Sequence, residues 1–140
     1  MSTLEKAIEI AARAHSADKE KNGDPYLLHP LRVMSQVESL DEKIAAILHD
    51  VPEDTNVTLD DLRQEGFSEA VLEAVRLVTR DDEQDYDQYI KDIRNNPIAR
   101  SVKLADMRDN INLLRIPNLR DKDLERCKKY HRYIRELDQL

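Results

Sequence analysis

The sequence is poor in the residues that form tight turns, disulfides and membrane spans. Its 140 residues include two glycines, one cysteine, one phenylalanine and no tryptophan. So few glycines disfavour a β-sandwich or β-barrel, which needs many turns. The single Cys127 excludes an internal disulfide and a Cys-x-x-Cys metal site. No apolar run approaches the roughly 20 residues that a membrane-spanning helix requires.

Positive charge is also scarce. Lysine and arginine number 22 against 29 aspartates and glutamates, which gives a formal net charge of −7. Neutralising the phosphates of a nucleic acid requires a net basic face, so we predict no nucleic-acid partner, although a local basic pocket remains open. The first fifteen residues lack the basic start and apolar block of a signal peptide. We expect a cytoplasmic protein with no membrane partner, and the sequence does not indicate its oligomeric state.

What the sequence has in quantity is helical patterning. Apolar residues recur at spacings of three and four through most of the chain, as in amphipathic helices. Prolines and glycines, together with Asp41, Thr58 and Ser68 as predicted N-caps, mark the boundaries. The predicted helices cover residues 4–15, 31–37, 41–50, two short helices that start at 58 and 68, and residues 84–95, 97–114 and 121–137. With no repeat and no dividing linker, we predict one all-α domain over residues 1–140, a bundle of about seven or eight helices.

Four side chains of metal-ligand type lie at positions where an apolar residue without a chemical role is expected. His49 and Asp50 end an apolar helix (IAAILHD), and His29 precedes Pro30 at the junction of a loop and a helix. Asp106 lies on an apolar helical face in the segment SVKLADMRDNINLL. A carboxylate on such a face is costly unless it is paired or coordinates a metal. These four residues are therefore the candidate metal ligands.

Each candidate ligand also has a structural explanation. A lone histidine at a helix end is more often solvated or hydrogen-bonded than a ligand, and Asp106 can pair with Lys103 or Arg108. Taken together, two imidazoles and two carboxylates leave room for water and substrate around a six-coordinate Mn²⁺ or Fe²⁺. Zn²⁺ is a further alternative, although four protein ligands would close a tetrahedral zinc site. The predicted cofactor is a divalent metal, with Mn²⁺ as the first choice.

Two more carboxylates, Glu53 and Asp54, follow within about one turn of His49 and Asp50. In an unbroken helix an offset of four residues would place each pair on one face, but Pro52 interrupts the helix. Glu53 and Asp54 are candidates for general acid–base catalysis beside the metal. Alternatively, they are acids in a first helical turn, which stabilise the N-terminus of the next helix. Spacing alone leaves both interpretations open.

Three motifs together resemble a known family. They are HSADKEKNGDPYLLHPLRV at residues 15–33, IAAILHDVPEDTNVTLDDLRQEGF at residues 44–67 and VKLADMRDNI at residues 102–111. In this order they are similar to the hydrolase-type HD domains of the RelA/SpoT group and their small single-domain relatives. The combination is much more specific than a single His-Asp dipeptide.

The resemblance implies an all-helical, metal-dependent phosphohydrolase. Characterised members of the group remove the 3′-pyrophosphate from guanosine tetra- or pentaphosphate and use Mn²⁺. The implied substrate is therefore a small nucleotide. The residues matched by the resemblance are His29, His49, Asp50 and Asp106 as metal ligands, Glu53 and Asp54 as the pair that handles the attacking water, and Lys19, Lys21 and Asn110 as substrate contacts.

The sequence also departs from the family pattern. Relatives often carry Gln-x-Arg-Lys where residues 18–21 read DKEK, which places two acids beside the proposed phosphate approach, and Pro52 stands where Val is common. Three hypotheses follow: an alarmone 3′-pyrophosphohydrolase, a phosphohydrolase for another nucleotide or phosphorylated metabolite, and a catalytically silent metal- or nucleotide-binding module. The presence of Glu53 and Asp54 argues against the third hypothesis, because a module that only binds does not need carboxylates beside a hydrated metal. No synthetase domain follows the motifs, so we expect no alarmone synthesis.

Overall fold

A computed structural model describes residues 3–138 of the chain, and its regular structure is helical. The all-α prediction is confirmed. The α-helices of the described residues are Leu4–Ala14 (α1), Leu28–Ser35 (α2), Leu40–Leu48 (α3), Val51–Asp54 (α4), Leu59–Gln64 (α5), Glu69–Val78 (α6), Tyr86–Arg94 (α7), Pro97–Asn110 (α8) and Asp121–Asp138 (α9), and a 3₁₀ turn covers Leu113–Arg115. No helix in this part of the chain is both long enough and apolar enough to cross a membrane.

One helix was not predicted from the sequence. Pro52 was expected only to interrupt the preceding helix, but it lies in the first turn of the four-residue α4. Proline is well suited to that position, because the N–H it lacks has no helical partner there. The chain therefore breaks after Leu48 and begins a new turn almost at once, which holds residues 49–54 close together.

The helix starts follow side-chain capping. Thr58 and Ser68 accept hydrogen bonds from backbone N–H groups three residues later, as predicted. The predicted cap Asp41 is wrong, because it lies inside the first turn of α3. The cap of α3 is Ser39, whose side chain accepts from the N–H of Glu42 while the Glu42 carboxylate accepts from the Ser39 N–H. This reciprocal pair satisfies two backbone donors and outcompetes a single acidic cap.

Two predicted boundaries also shift. The helix expected at 31–37 begins earlier, at Leu28, so that Pro30 lies in its first turn. The helix expected at 97–114 ends at Asn110, because the Asn112 side chain caps a separate 3₁₀ turn by accepting from the N–H of Leu114. The earlier end of α8 leaves residues 111–120 as the connection to α9.

Helix α3 lies at the centre of the bundle. It packs against α1, α2, α6 and α8, and its residues 44–48 are all buried. Helices α2 and α8 also pack against each other. The N-terminal turn of α2, the C-terminal end of α3 and the buried face of α8 therefore meet, which brings His29, His49 and Asp106 together from distant parts of the sequence.

The central position of α3 predicts a large cost for truncating its buried face. Leu48→Ala should lower the free energy of unfolding by about 2–5 kcal/mol, because it removes a fully buried side chain and leaves a cavity. Leu40→Ala is the matched control on the same helix, since Leu40 is 60% exposed. Urea unfolding followed by circular dichroism measures both variants. Equal losses in the two variants would contradict the central role of α3.

Candidate metal centre

The structure brings the four predicted metal ligands to one place. His29 comes from α2, His49 is the C-cap of α3, Asp50 precedes α4 and Asp106 comes from α8. One nitrogen or carboxylate oxygen from each side chain lies within 4.8 Å of the others, a grouping that could hold a metal ion. Asp50 is partly exposed, whereas the other three are buried. The centre therefore has one side through which solvent or substrate can enter.

Both histidines direct the same ring nitrogen, Nε2, at the centre. The Nδ1 of His29 lies 2.6 Å from a carboxylate oxygen of Asp109, and the Nδ1 of His49 lies 2.5 Å from the carbonyl oxygen of Ala46. If each Nδ1–H donates to these acceptors, each Nε2 faces the centre and is free to act as a ligand. This is the usual arrangement of a metal-binding histidine, in which a second hydrogen bond fixes the tautomer and orients the ring.

Asp106 is the carboxylate on which the centre converges. Its Oδ1 lies 2.8 Å from His29 Nε2 and 3.2 Å from His49 Nε2, and Asn110 donates to the same oxygen at 3.2 Å. The ammonium of Lys103 donates to Oδ2 at 3.0 Å. Burial raises the pKa of Asp106, but Lys103 and His49 outweigh it and hold this pKa well below its usual range. The group is therefore an ionised carboxylate, as a metal ligand must be.

The protonation of the histidines shows why a cation fits this donor set. Burial lowers the pKa of His29, but hydrogen bonds to Asp106 and Asp109 outweigh it and raise that pKa above its ordinary value. The pKa of His49 is raised well above its ordinary value in spite of burial, by Asp50 and Asp106. The carboxylates thus draw positive charge to the two Nε2 positions. A divalent cation bound there supplies this positive charge and leaves both imidazoles neutral.

Asp50 is held by a residue that sequence analysis missed. The hydroxyl of Tyr26 donates to Asp50 Oδ2, across 24 residues of sequence. Burial raises the pKa of Asp50, but the charge and hydrogen bond of His49 outweigh it and lower that pKa. The Tyr26 ring also lies against His29, with ring centroids 5.7 Å apart. Tyr26 therefore positions two of the four candidate ligands.

Glu53 and Asp54 lie beside this centre. Both belong to the first turn of α4, and each has a carboxylate oxygen within 4.8 Å of an oxygen of Asp50. Both side chains are exposed, but partial desolvation raises the pKa of each, and the charge of Asp50 raises it further. The backbone N–H of Arg80 donates to Glu53 at 2.6 Å and opposes part of the rise. A carboxylate with a raised pKa is a better proton acceptor near neutral pH.

A cleft of about 230 Å³ opens beside His29. The predicted substrate contacts Lys19, Lys21 and Asn110 all line it. The ammonium of Lys21 also donates to the buried carboxylate of Asp123 at 2.9 Å, so Lys21 joins its loop to α9 as well as facing the cleft. The cleft also contains two cations that sequence analysis did not single out, Arg115 and Arg126.

The most informative residue missed from the sequence is Asp109. It accepts from the guanidinium groups of Arg32 and Arg115 as well as contacting His29, and these partners lower its pKa to about 2 against the effect of burial. A signal was available, because Asp109 lies three residues after Asp106 and so shares its helical face. Its partners come from other elements, which the sequence alone does not identify.

Comparison with known proteins identifies the family. Residues 7–116 match the HD domain family, so the chain belongs to that family, as the motifs predicted. The human guanosine-3′,5′-bis(diphosphate) 3′-pyrophosphohydrolase MESH1 is 34% identical over 137 residues, which cover 89% of this chain and 70% of that protein. The Aquifex aeolicus guanosine-3′,5′-bis(diphosphate) 3′-pyrophosphohydrolase is 32% identical over 123 residues, 79% of this chain.

The relatives differ greatly in length. The matched region covers only 18% of the Aquifex protein, and only 15% of a GTP pyrophosphokinase from Streptomyces antibioticus that is 34% identical over 125 residues, 80% of this chain. Among solved structures, one described as a metazoan ortholog of SpoT that hydrolyses ppGpp superposes with a TM-score of 0.81. The superposition covers 99% of this chain and 86% of that one at 22% identity, which confirms the fold.

The contacts of Asp109 predict that it controls metal affinity without being a ligand. Asp109→Asn should weaken divalent metal binding by about 10- to 100-fold, because the amide no longer fixes the orientation and tautomer of His29. Asp138→Asn is the matched control, since Asp138 is exposed and pairs only with Arg108 among the described residues. Competition with a chromophoric chelator measures both affinities. Wild-type affinity in Asp109→Asn would show that His29 does not depend on this contact.

Proposed function

We propose that the protein is a metal-dependent phosphohydrolase that removes the 3′-pyrophosphate from guanosine 3′,5′-bis(diphosphate). The observation that carries the proposal is the convergence of His29, His49, Asp50 and Asp106, with both Nε2 atoms directed at one carboxylate. The reaction named for the human relative, at 34% identity over most of this chain, supports the choice of substrate.

The four converging residues hold the metal, for which we propose Mn²⁺, with Fe²⁺ and Zn²⁺ as alternatives. A mixed nitrogen and oxygen donor set suits Mn²⁺ and Fe²⁺ in particular. When bound, such an ion lowers the pKa of a coordinated water and offsets negative charge on a phosphoryl oxygen. The partly exposed Asp50 lies at the open side, where Tyr26 keeps its carboxylate oriented.

Glu53 and Asp54 orient the attacking water and accept its proton. Their positions next to Asp50 place two carboxylates at the edge of the centre, and their raised pKa values suit proton transfer. Positioned general base catalysis typically contributes about 10²- to 10⁴-fold in rate. Their location in the first turn of α4 does not compete with this role, since each carboxylate can stabilise the helix and accept a proton.

The cleft beside His29 binds the nucleotide. Lys19, Lys21 and Asn110 contact the substrate, with Arg115 and Arg126 adding positive charge to the same walls. Asn110 is well placed because it also donates to Asp106, so it lies at the border between the centre and the cleft. A local concentration of cations permits a polyanionic substrate to bind a chain of net negative charge.

A second candidate substrate class is another nucleotide or a phosphorylated metabolite. The observation in its favour is Glu20, which lines the cleft and pairs with Arg32. A carboxylate in this wall repels a phosphate group but accepts hydrogen bonds from a base or sugar. Release of phosphate and pyrophosphate across a nucleotide panel with added Mn²⁺ separates the two classes. Fastest turnover of guanosine 3′,5′-bis(diphosphate) supports the first substrate class. Fastest turnover of another compound in the panel supports the second class.

The two groups of acids should respond differently to neutralisation. Asp106→Asn should lose metal and activity together, and excess Mn²⁺ should restore part of the activity, because an amide is a poorer ligand than a carboxylate. The double variant Glu53→Gln, Asp54→Asn should retain its metal and lose about two to four orders of magnitude in kcat, because amides cannot take a proton. Metal analysis and phosphate release measure the two effects separately.

The control for the double variant is Asp60→Asn combined with Glu73→Gln, which neutralises two exposed acids that belong to neither group of possible metal ligands. This control should retain both metal and activity. Hydrolysis at the wild-type rate by metal-loaded Glu53→Gln, Asp54→Asn would show that the two acids serve only as first-turn residues of α4.

The position of Lys21 predicts a binding effect. Lys21→Ala should raise KM more than it lowers kcat, because a contact made equally in the ground and transition states affects binding alone. Lys21→Arg should stay near the wild-type KM, since it keeps the charge and a donor for Asp123. Lys128→Ala is the control, an exposed lysine on α9 that pairs with Glu125. Wild-type kinetics in Lys21→Ala for every substrate would make Lys21 an ordinary surface residue.

A further inference from the structure

A second group of cations adjoins the candidate metal centre but does not line the cleft beside His29. We call it the basic cluster and define it as Arg80, Lys103 and Lys129, which surround Tyr86. The guanidinium of Arg80 lies 5.3 Å from the centroid of the Tyr86 ring, and the ammonium of Lys129 lies 3.8 Å from it. Lys103 lies over the ring of Tyr89, whose centroid is 5.3 Å from that of Tyr86.

Most of the positive charge in the basic cluster has no anionic partner. Lys103 pairs with Asp106, whereas Arg80 and Lys129 form no ion pair with any carboxylate among residues 3–138. The acidic residues 81–83 follow Arg80 directly, yet none of them pairs with it. Partial desolvation lowers the pKa of Lys129 although the residue is exposed, and the charges of Arg80, Lys103 and Arg132 lower it further. Lys129 thus lies among like charges with no carboxylate partner, in a protein whose net charge is −7.

Two buried polar atoms, one in the basic cluster and one on the Tyr86 ring that it surrounds, are also unsatisfied. Arg80 Nε and Tyr86 Oη have no hydrogen-bond partner within the described part of the chain. Stacking of a cation on an aromatic ring accounts for the contact between Arg80 and Tyr86. It does not account for a buried N–H and a buried hydroxyl without partners, each of which is destabilising. The arrangement is explained if a ligand supplies the missing acceptors.

The chemistry of these groups specifies the ligand. Arg80 offers a guanidinium N–H, Tyr86 a hydroxyl and Lys129 an exposed ammonium, so the ligand must be an anion with several acceptor oxygens. A phosphate-type oxyanion meets this requirement and bonds strongly to charged donors. We propose that Arg80, Tyr86 and Lys129 form a binding site for a phosphate-type oxyanion.

The site is connected directly to the candidate metal centre. The backbone N–H of Arg80 donates to Glu53, and Lys103 donates to Asp106. Two sources can supply the anion: the terminal phosphate of the bound substrate, or free pyrophosphate from solution. The oxyanion site does not depend on the proposed function, but assigning its occupant to the substrate does rest on that function.

Binding of inorganic pyrophosphate to chelator-treated full-length protein tests the site without turnover. Isothermal titration at constant ionic strength should give a Kd that rises by about tenfold or more in Arg80→Gln and in Lys129→Gln, since each removes a charged donor. Arg76→Gln and Lys128→Gln are matched controls, because both residues are exposed and already paired with glutamates. They should bind as the wild type does. Thermal unfolding by circular dichroism verifies that each variant is folded.

A further substitution at Arg80 distinguishes a loss of anion binding from a loss of folding. Arg80→Lys keeps the positive charge near Tyr86 but cannot reproduce the guanidinium N–H, so it should bind pyrophosphate with an affinity between those of the wild type and Arg80→Gln. An unchanged Kd in Arg80→Gln and Lys129→Gln, or an equal loss in the two control variants, would overturn the proposal.

Steady-state hydrolysis of guanosine 3′,5′-bis(diphosphate) then distinguishes the two sources. If the terminal phosphate of the substrate occupies the site, pyrophosphate inhibits competitively and Arg80→Gln raises KM. If free pyrophosphate occupies it, inhibition is noncompetitive and is lost in Arg80→Gln, while KM is unchanged. Either result supports the oxyanion site. Absence of turnover in a wild type that binds pyrophosphate through Arg80 and Lys129 would contradict the proposed function and leave the oxyanion site supported.

Discussion

The burial of Asp106 is the constraint on which the rest of the centre depends. A carboxylate removed from water is strongly destabilising unless positive charge and hydrogen-bond donors surround it. Lys103 and Asn110 supply these from the same helix, while His29 and His49 supply them from α2 and α3. Three helices must therefore converge at this carboxylate, and their packing fixes the geometry of the site.

The charges around Asp106 alternate in sign outward to the cleft. The negative Asp106 faces His29, which contacts the negative Asp109, which in turn accepts from Arg32 and Arg115. Arg32 also pairs with Glu20, in the loop that carries the predicted substrate contacts. The orientation of one candidate ligand and the position of the substrate loop are thus parts of one network. A substitution in the loop can therefore change the orientation of His29 in the metal centre through Arg32 and Asp109.

The sequence predicts the parts of this arrangement that depend on local patterns. Periodicity predicts the helices, and residues of metal-ligand type at a loop–helix junction, a helix end and an apolar helical face predict His29, His49, Asp50 and Asp106 as candidate metal ligands. Contacts between distant segments are beyond such patterns. Tyr26 reaches Asp50 and Asp109 reaches His29 only because α2, α3 and α8 pack together. The helix α4 was missed for a related reason, since Pro52 can equally end one helix or begin another.

The distribution of charge explains how a protein of net charge −7 can accept a polyanion. The carboxylates of the centre are neutralised by their own histidines and Lys103, or by a bound divalent cation. Two cationic surfaces adjoin the centre. The cleft is lined in part by His29 and Asn110. The basic cluster meets the centre at Glu53, which accepts from the backbone N–H of Arg80 and is influenced by the charge of Lys103. On the two proposals above, a substrate with anionic groups at both ends contacts both surfaces, whereas a simple monophosphate contacts only one. Because electrostatic attraction at a partly desolvated site is stronger than in bulk water, the two proposed anion-binding surfaces together would favour a substrate phosphorylated at two positions over one phosphorylated at a single position.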